Sequence, residues 1–161
     1  MSPQLVQALK DQAQLVMNAS QEMLALSLGA KSKGWKGAHE WMGDFALDLR
    51  KHVKNIGKLI LDYAEDDYEV PATNEYPAKF PSQYPDAWQM VRKCVKAEQM
   101  GWINIGSLAE ELGATDIDDY ADGFLEKGTP MVKKLNRWNN ELEQANGNTA
   151  FWKQFDKARR R

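Results

Sequence analysis

Two ionisable residues, His52 and Glu98, stand where the surrounding sequence places apolar side chains. Each falls within a run in which apolar residues recur at alternating spacings of three and four, the pattern of a helix face that packs into a core. A charge facing such a core costs several kcal/mol unless it is paired or bound to a metal. Imidazole and carboxylate suit iron, manganese or zinc. The alternative is a buried carboxylate–imidazolium pair, and in either case we expect the two side chains to approach each other.

Asp48 is the next candidate ligand, since it precedes His52 by one helical turn and could share its face. Asp44, Asp48 and His52 form a row at the edge of the apolar stripe, where acids are more often solvated than metal-bound. A two-metal carboxylate centre needs about four inward carboxylates and two histidines, with a Glu-x-x-His pair on one helix. Leu49 occupies the glutamate position of that pair. We therefore expect at most a weak mononuclear site for iron or another divalent metal on His52, Glu98 and Asp48, and a chain without metal is the alternative.

The elements that would position these residues are helices, because helix-forming residues dominate the long segments and two-residue alternation is absent. Ser2 with Pro3 is typical of a helix start, and Thr115 with Asp118 predicts a second cap. Helices are expected over residues of about 3–32, 37–65, 85–112, 115–145 and 149–160. The apolar stripes comprise Leu5, Leu9, Gln12, Val16, Ala19, Met23, Leu26 and Ala30; Ala38, Met42, Phe45, Leu49, His52, Ile56, Leu59 and Tyr63; Trp88, Val91, Val95, Glu98, Trp102, Ile105, Ala109 and Leu112; and Ile117, Ala121, Phe124, Gly128, Met131, Leu135, Trp138 and Leu142.

A proline-rich stretch over residues of about 66–84 separates the second and third helices. A link of this length is rare in a compact domain unless the chain must travel along the whole bundle before the next helix begins. The second and third helices are therefore expected to be parallel neighbours. The sequence predicts an all-α protein: a single domain over residues 1–161, folded as an antiparallel four-helix bundle with a long crossover and a short C-terminal fifth helix.

The composition of the chain limits the binding partners and the cellular compartment that we expect for it. The net charge of -2 gives the molecule no long-range field that would attract nucleic acid or an anionic membrane. The single cysteine cannot form an internal disulfide, and the sequence begins without the pattern of a secretory signal peptide. No apolar run approaches the length of a membrane span. We expect a cytoplasmic protein that does not bind a membrane, and nucleic acid is not the expected partner.

Aromatic residues near the start of the second helix and in the C-terminal segment exceed what one bundle of this size needs inside. We expect these residues to cover subunit contacts, because exposed apolar patches usually mark interfaces. A homo-oligomer is predicted, at least a dimer, and a cage is left open. The residues are Trp35, Trp41, Phe151, Trp152 and Phe155.

Almost the whole chain resembles the bacterial non-haem ferritins. The similar segments, in order, are LKDQAQLVMNASQEMLALSL, HEWMGDFALDLRKHVKNIGKLILDY, the proline-rich crossover after DDYEVP, AWQMVRKCVKAEQMGWINIGSLAEE and the short C-terminal segment. The resemblance implies a ferritin-like fold. It also places Glu98, within Ala97-Glu98-Gln99, at a metal-binding glutamate of the family, and the C-terminal segment at the short helix that lines the fourfold axis of a ferritin cage.

The chain departs from the family at most of the ligands that the resemblance implies for a di-iron centre. Val16 stands where the first-helix glutamate belongs, Leu49 replaces the glutamate of Glu-x-x-His, and residues 131–134 read Met-Val-Lys-Lys where the family carries acids. The resemblance then implies an iron-handling or cage-forming protein with a degenerate ferroxidase centre and weak or absent oxidase activity. Two alternatives are left open: a non-enzymatic structural or binding oligomer, DNA protection included, and a ferroxidase with rearranged ligands.

Overall fold

The computed structural model describes residues 1–64 and 67–160. Five helices follow one another, and no strand occurs among the described residues: α1 (Pro3–Ser32), α2 (Lys36–Tyr63), α3 (Tyr84–Glu111), α4 (Thr115–Gln144) and α5 (Thr149–Ala158). Their ends lie within two residues of the expected bounds. The expected end of the second helix at residue 65 and the start of the crossover at residue 66 lie outside the described residues. The expected antiparallel four-helix bundle with a long crossover and a fifth helix is confirmed.

The helix ends show which of the predicted capping residues cap a helix in the structure. The Ser2 hydroxyl accepts a hydrogen bond from the backbone N–H of Gln4 at 3.2 Å, as the Ser-Pro start predicts. The prediction that Thr115 caps α4 is wrong, because α4 is preceded by Ala114 and no side chain caps the helix. The turn is made instead by Gly113, whose φ of +69° is the left-handed conformation that glycine adopts at low cost. The helix α5 has a side-chain cap, because Asn148 Oδ1 accepts from the Phe151 N–H.

The helices α1 and α2 form one antiparallel pair, α3 and α4 form the other, and α1 also packs against α3. The crossover runs beside α1: Gln14 Nε2 donates to the carbonyl of Ala72 at 2.7 Å, and a Cβ on Gly29 would lie 2.6 Å from the carbonyl oxygen of Lys79. The helices α2 and α3 are parallel, as expected. They meet mainly through side chains across the bundle core rather than through close backbone packing.

The predicted stripes form the core, with two kinds of exception. Tyr63 and Leu112, at helix ends, are exposed. In α4 no residue between Ala121 and Leu135 is buried, although the sequence continues the apolar pattern through that segment. The backbones of α2 and α4 do not pack closely among the described residues. The middle of α4 therefore leaves one side of the bundle open.

Aromatic side chains close the end of the bundle at which α2 and α3 begin, and α5 folds back onto this end of its own chain. Trp41 packs against Trp88 and Trp138, with ring centroids 5.1 and 5.6 Å apart, and Phe155 packs edge-on against Trp138. Trp41, Trp152 and Phe155 are only 9%, 6% and 4% exposed. The expectation that these three residues cover subunit contacts is therefore wrong, because they fill the core of their own chain. Trp35 and Phe151 are half-buried against the same core, and their role in a subunit contact stays a prediction.

Within the described residues, no helix combines the length and the apolar character needed to cross a membrane.

Candidate functional site

The two residues that interrupt the stripes meet in the bundle. His52 of α2 and Glu98 of α3 are joined by a hydrogen bond of 2.8 Å between Nδ1 and Oε2. The Glu98 side chain is 6% exposed and that of His52 is 30% exposed, so the carboxylate is buried and the imidazole is reachable from solvent. The predicted approach of these side chains is confirmed. The contact satisfies a carboxylate that burial would otherwise destabilise.

A third polar residue holds the Glu98 segment from the other side. Gln12, buried on α1, donates from Nε2 to the backbone carbonyl of Glu98 at 3.0 Å. Its side chain lies against Gly101, where a Cβ would overlap the Gln12 amide. Gln12 was predicted only as a member of the α1 stripe, although a polar residue at a core position is the same signal that singled out His52 and Glu98.

The electrostatics of His52 are a balance of opposing effects. Burial lowers the pKa of the imidazole, whereas the hydrogen bond to Glu98 and the negative charges of Glu98 and Asp48 raise it, and the net result is a pKa above the ordinary 6.5. Burial, together with the charge of Glu98, also raises the pKa of the nearby Tyr120 phenol. The contact with Glu98 therefore favours the protonated form of the imidazole.

A cleft of about 620 Å³ opens from this pair toward solvent, between α2 and α4 and over α3. The His52 ring meets the Phe124 ring edge-on across the cleft, with centroids 5.3 Å apart. The cleft exists because the middle of α4 stands away from α2. Its lining residues are Phe45, Asp48, Lys51, His52, Asn55, Val95, Glu98, Gln99, Asp119, Tyr120, Gly123, Phe124, Lys127, Gly128 and Met131.

Asp48 lies on the wall of the same cleft, at its mouth. One of its carboxylate oxygens is 3.9 Å from Lys51 Nζ, and its side chain is 58% exposed. Its charge contributes to the raised pKa of His52, which places it within electrostatic reach of the imidazole. A role for Asp48 as a third metal ligand stays a prediction.

The residues at the other ligand positions implied by the resemblance are apolar or basic. Val16 and Leu49 are buried, at 0% and 1% exposure. Met131 lines the cleft, and Lys133 is exposed on α4. Within residues 1–64 and 67–160, no group of three histidine, cysteine, aspartate or glutamate side chains is arranged to hold a metal ion.

Comparison with known proteins gives one family. A family model described as the ferritin-like domain matches residues 6–144, which include all of α2, α3 and α4 and most of α1. No curated protein matches the chain. The matched segment contains the whole bundle around His52 and Glu98, and the observed order of helices is that of the expected bundle. The chain belongs to the ferritin-like domain family.

Proposed function

We propose that this chain is a ferritin-like iron-handling protein with a degenerate ferroxidase centre, able to hold at most one divalent metal weakly on His52, Glu98 and Asp48. The observation that carries the proposal is the pairing of His52 with Glu98 beside buried apolar residues. The donor set of the described residues does not fit a two-metal carboxylate site, which needs more oxygen ligands than this cleft offers.

Charge explains why such a site would oxidise iron poorly. Two Fe(II) ions brought together without carboxylates to neutralise them repel strongly in a low-dielectric core. Val16 and Leu49 offer no lone pairs where the family has carboxylates. A rapid two-electron transfer to oxygen needs both irons, so a mononuclear site leaves the reaction slow.

A metal that binds His52 through Nδ1 must compete with the existing contact. The Nδ1 of His52 donates to Glu98, so a metal at that nitrogen must displace the proton and break the hydrogen bond. Because the pKa of His52 is raised, this competition is strongest at acidic pH. Metal affinity should therefore be low and should increase with pH.

Stopped-flow absorbance tests the proposal. Anaerobic protein loaded with Fe(II) is mixed with oxygenated buffer, and wild type is compared with His52→Ala and with buffer alone. We expect oxidation little faster than in buffer and little changed by His52→Ala. A fast phase that saturates at about two irons per chain would show instead that the acids of the cleft form a working centre.

An apolar patch on α1 and α2 supports the proposal that the chain forms an oligomer. Gln21 and Arg50 are hydrogen-bonded on the outer face of this pair, and Leu24 and Leu47 each lie one helical turn from them. Leu24, Leu28 and Leu47 are 43%, 47% and 63% exposed. Contiguous exposed apolar residues are typical of protein–protein interaction sites. This patch favours a homodimer at least, and it also suits the second candidate function, a structural oligomer without enzymatic activity.

A further inference from the structure

The cleft between α2 and α4 is larger than a single metal ion needs. Its volume of about 620 Å³ falls within the range of about 300–1,000 Å³ typical of small-molecule sites. Part of this space lies directly over the α4 backbone, since a Cβ on Gly123 would have no atom within 4 Å. The cleft therefore has room for a small organic molecule.

The walls of the cleft are mainly apolar and aromatic. Phe45 lies on α2, and Tyr120 and Phe124 lie on α4. Trp102 supports the α4 wall from behind, with ring centroids 5.1 Å from Tyr120 and 5.4 Å from Phe124. Flat aromatic surfaces of this kind favour a ligand that is itself a planar ring.

The half-buried Gln99 of α3 supplies a polar group in the lining of this cleft. Its amide forms no hydrogen bond with any residue in the part of the chain that the structure describes. The amide is nevertheless held in place by packing, because a Cβ on Gly128 would overlap its nitrogen. The other amide of the lining, Asn55, lies beside the Tyr120 phenol. Gln99 thus offers one donor group and one acceptor group side by side to a ligand.

The charges of the lining do not favour an ionic ligand. Carboxylates and ammonium groups are both present among the lining residues: Asp48, Glu98, Asp119, Lys51 and Lys127. The Glu98 carboxylate is hydrogen-bonded to His52, and an oxygen of Asp48 lies 3.9 Å from Lys51 Nζ. An ion of either sign would meet a like charge in this cleft, and it would lose hydration on entering the cleft. An uncharged ligand avoids both costs.

We infer that this cleft binds a small, uncharged, planar heteroaromatic molecule with a donor and an acceptor on adjacent ring positions, as in a lactam. Its N–H and C=O pair with the Gln99 amide, while its ring lies against Phe45 and Phe124. A glutamine side chain recognises such an edge through two parallel hydrogen bonds, as it does at adenine. This inference goes beyond the proposed function, because it requires no metal and uses neither His52 nor Glu98 as a ligand.

Four bicyclic probes of similar size separate the chemical classes: isoquinolin-1-one, which is a neutral lactam; isoquinoline, which lacks the N–H donor; 2-naphthoate; and 2-naphthylmethylamine. Binding to the full chain is measured by isothermal titration calorimetry, with a chelator present and in mildly alkaline buffer, where isoquinoline is uncharged. We expect saturable binding of the lactam at about one per chain, about 10-fold tighter than isoquinoline and than either ion.

The variant Gln99→Met tests the recognising group, because it removes the amide and keeps a side chain of similar length. The preference for the lactam over isoquinoline should fall about 10-fold, while isoquinoline binding changes little. Gln89→Met is the matched control, since Gln89 is an exposed glutamine of the same helix that does not line the cleft, and it should bind the lactam as wild type does.

Two variants of one glycine show where the probe binds. Gly123→Phe places a ring in the open space of the cleft and should abolish lactam binding. Gly123→Ala is its control, since it removes the same helical glycine and adds only a methyl group, and it should bind the lactam as wild type does. Far-ultraviolet circular dichroism verifies folding, and Gln99→Met decides the question if Gly123→Phe does not fold.

Several results would overturn the inference: equal binding of the lactam and isoquinoline, tightest binding by either ion, an unchanged lactam preference in folded Gln99→Met, unchanged binding in folded Gly123→Phe, or no saturable binding of any probe. None of these results alters the iron-oxidation test, so the two proposals fail separately.

Discussion

Asp156 of α5 caps the N-terminus of α2 at Ala38, although the two residues are far apart in the chain. Its Oδ1 accepts from the Ala38 N–H at 2.8 Å, and its Oδ2 accepts from the Gly37 N–H at 2.9 Å. The buried Tyr84 hydroxyl donates to the same carboxylate at 2.9 Å. Asp156 thus performs the role of an N-cap residue from another helix, and it fixes α5 on the end of its own bundle.

Asp156→Ala should lower the free energy of unfolding by about 3 kcal/mol, because three buried donors lose a charged acceptor. For a chain of this size that corresponds to a fall in Tm of about 6–12 °C. Thermal unfolding followed by circular dichroism measures the change. The exposed neighbour Lys157 supplies the control, since Lys157→Ala should shift Tm by less than about 2 °C. Equal effects of the two substitutions would show that the cap contributes little.

The His52–Glu98 pair should respond unequally to loss of either partner. His52→Ala strands a buried carboxylate and should cost about 2–4 kcal/mol, whereas Glu98→Ala leaves an imidazole that can lose its proton and reach water, for about 1–2 kcal/mol. The 3–5 kcal/mol typical of breaking a fully buried pair is therefore too large for Glu98→Ala here. Urea unfolding of both variants gives the comparison, and a larger cost for Glu98→Ala would contradict it.

The raised pKa of His52 gives stability a defined pH dependence. A group whose pKa is higher in the folded state than in the unfolded state stabilises the fold fully below the unfolded pKa, here the ordinary 6.5, and loses that contribution as pH rises through the folded pKa. Wild type should therefore exceed His52→Gln in stability by more at pH 6 than at pH 9. Urea unfolding at both pH values measures this difference.

NMR titration supplies an independent check, because the chain has only 2 histidines and the signals of His52 can be assigned by substitution. Glu98→Gln should lower the pKa of His52, since it removes the charge that raises the pKa while most of the burial that lowers it is kept. An unchanged pKa in that variant would mean that Glu98 does not control the titration of the imidazole.

Local patterns predicted the bundle because each of the four long helices carries an apolar stripe along its length. His52 and Glu98 could be identified for the same reason: a charge within an apolar stripe is visible in one segment of sequence, and the parallel order of α2 and α3 follows from the length of the crossover. These inferences needed only the periodic spacing of apolar residues and the positions of glycine and proline in the sequence.

The cleft and the position of α5 could not be predicted in this way. Phe124, Gly128 and Met131 continue the α4 stripe, so the sequence indicates a buried face, and only the separation of α4 from α2 exposes it. The cap by Asp156 joins residues more than a hundred positions apart, for which no local signal exists. The aromatic residues of α5 led to the prediction of an interface, because the sequence does not show that the end of the chain's own bundle has room for them.

The exposed leucines on α1 and α2 predict where an oligomer forms. Leu47→Glu places a charge in the centre of the patch and should shift the chain toward monomer in light scattering at micromolar concentration, with little effect on Tm of the monomer. Leu61→Glu is the matched control, since Leu61 is equally an exposed leucine of α2 but lies nearly four turns away. A monomeric wild type would remove the oligomer proposal.

Restoring two carboxylates should convert the cleft into a stronger metal site. Val16 and Leu49 are buried, and Leu49 lies one turn before His52 on the same helix face, so Val16→Glu with Leu49→Glu adds two ligands to His52 and Glu98. Without metal the double variant should be less stable than wild type by several kcal/mol, since two buried carboxylates repel each other and lose hydration. Fe(II) added anaerobically should then raise Tm, because a ligand at 100 times its Kd stabilises the fold by about 2.7 kcal/mol.

The control is Val16→Gln with Leu49→Gln, which has side chains of similar size without the charge and should gain little. A folded double variant that binds Fe(II) no better than wild type in anaerobic titration calorimetry would show that these positions do not surround the site of His52 and Glu98, and the explanation of the degenerate centre would then have to be abandoned.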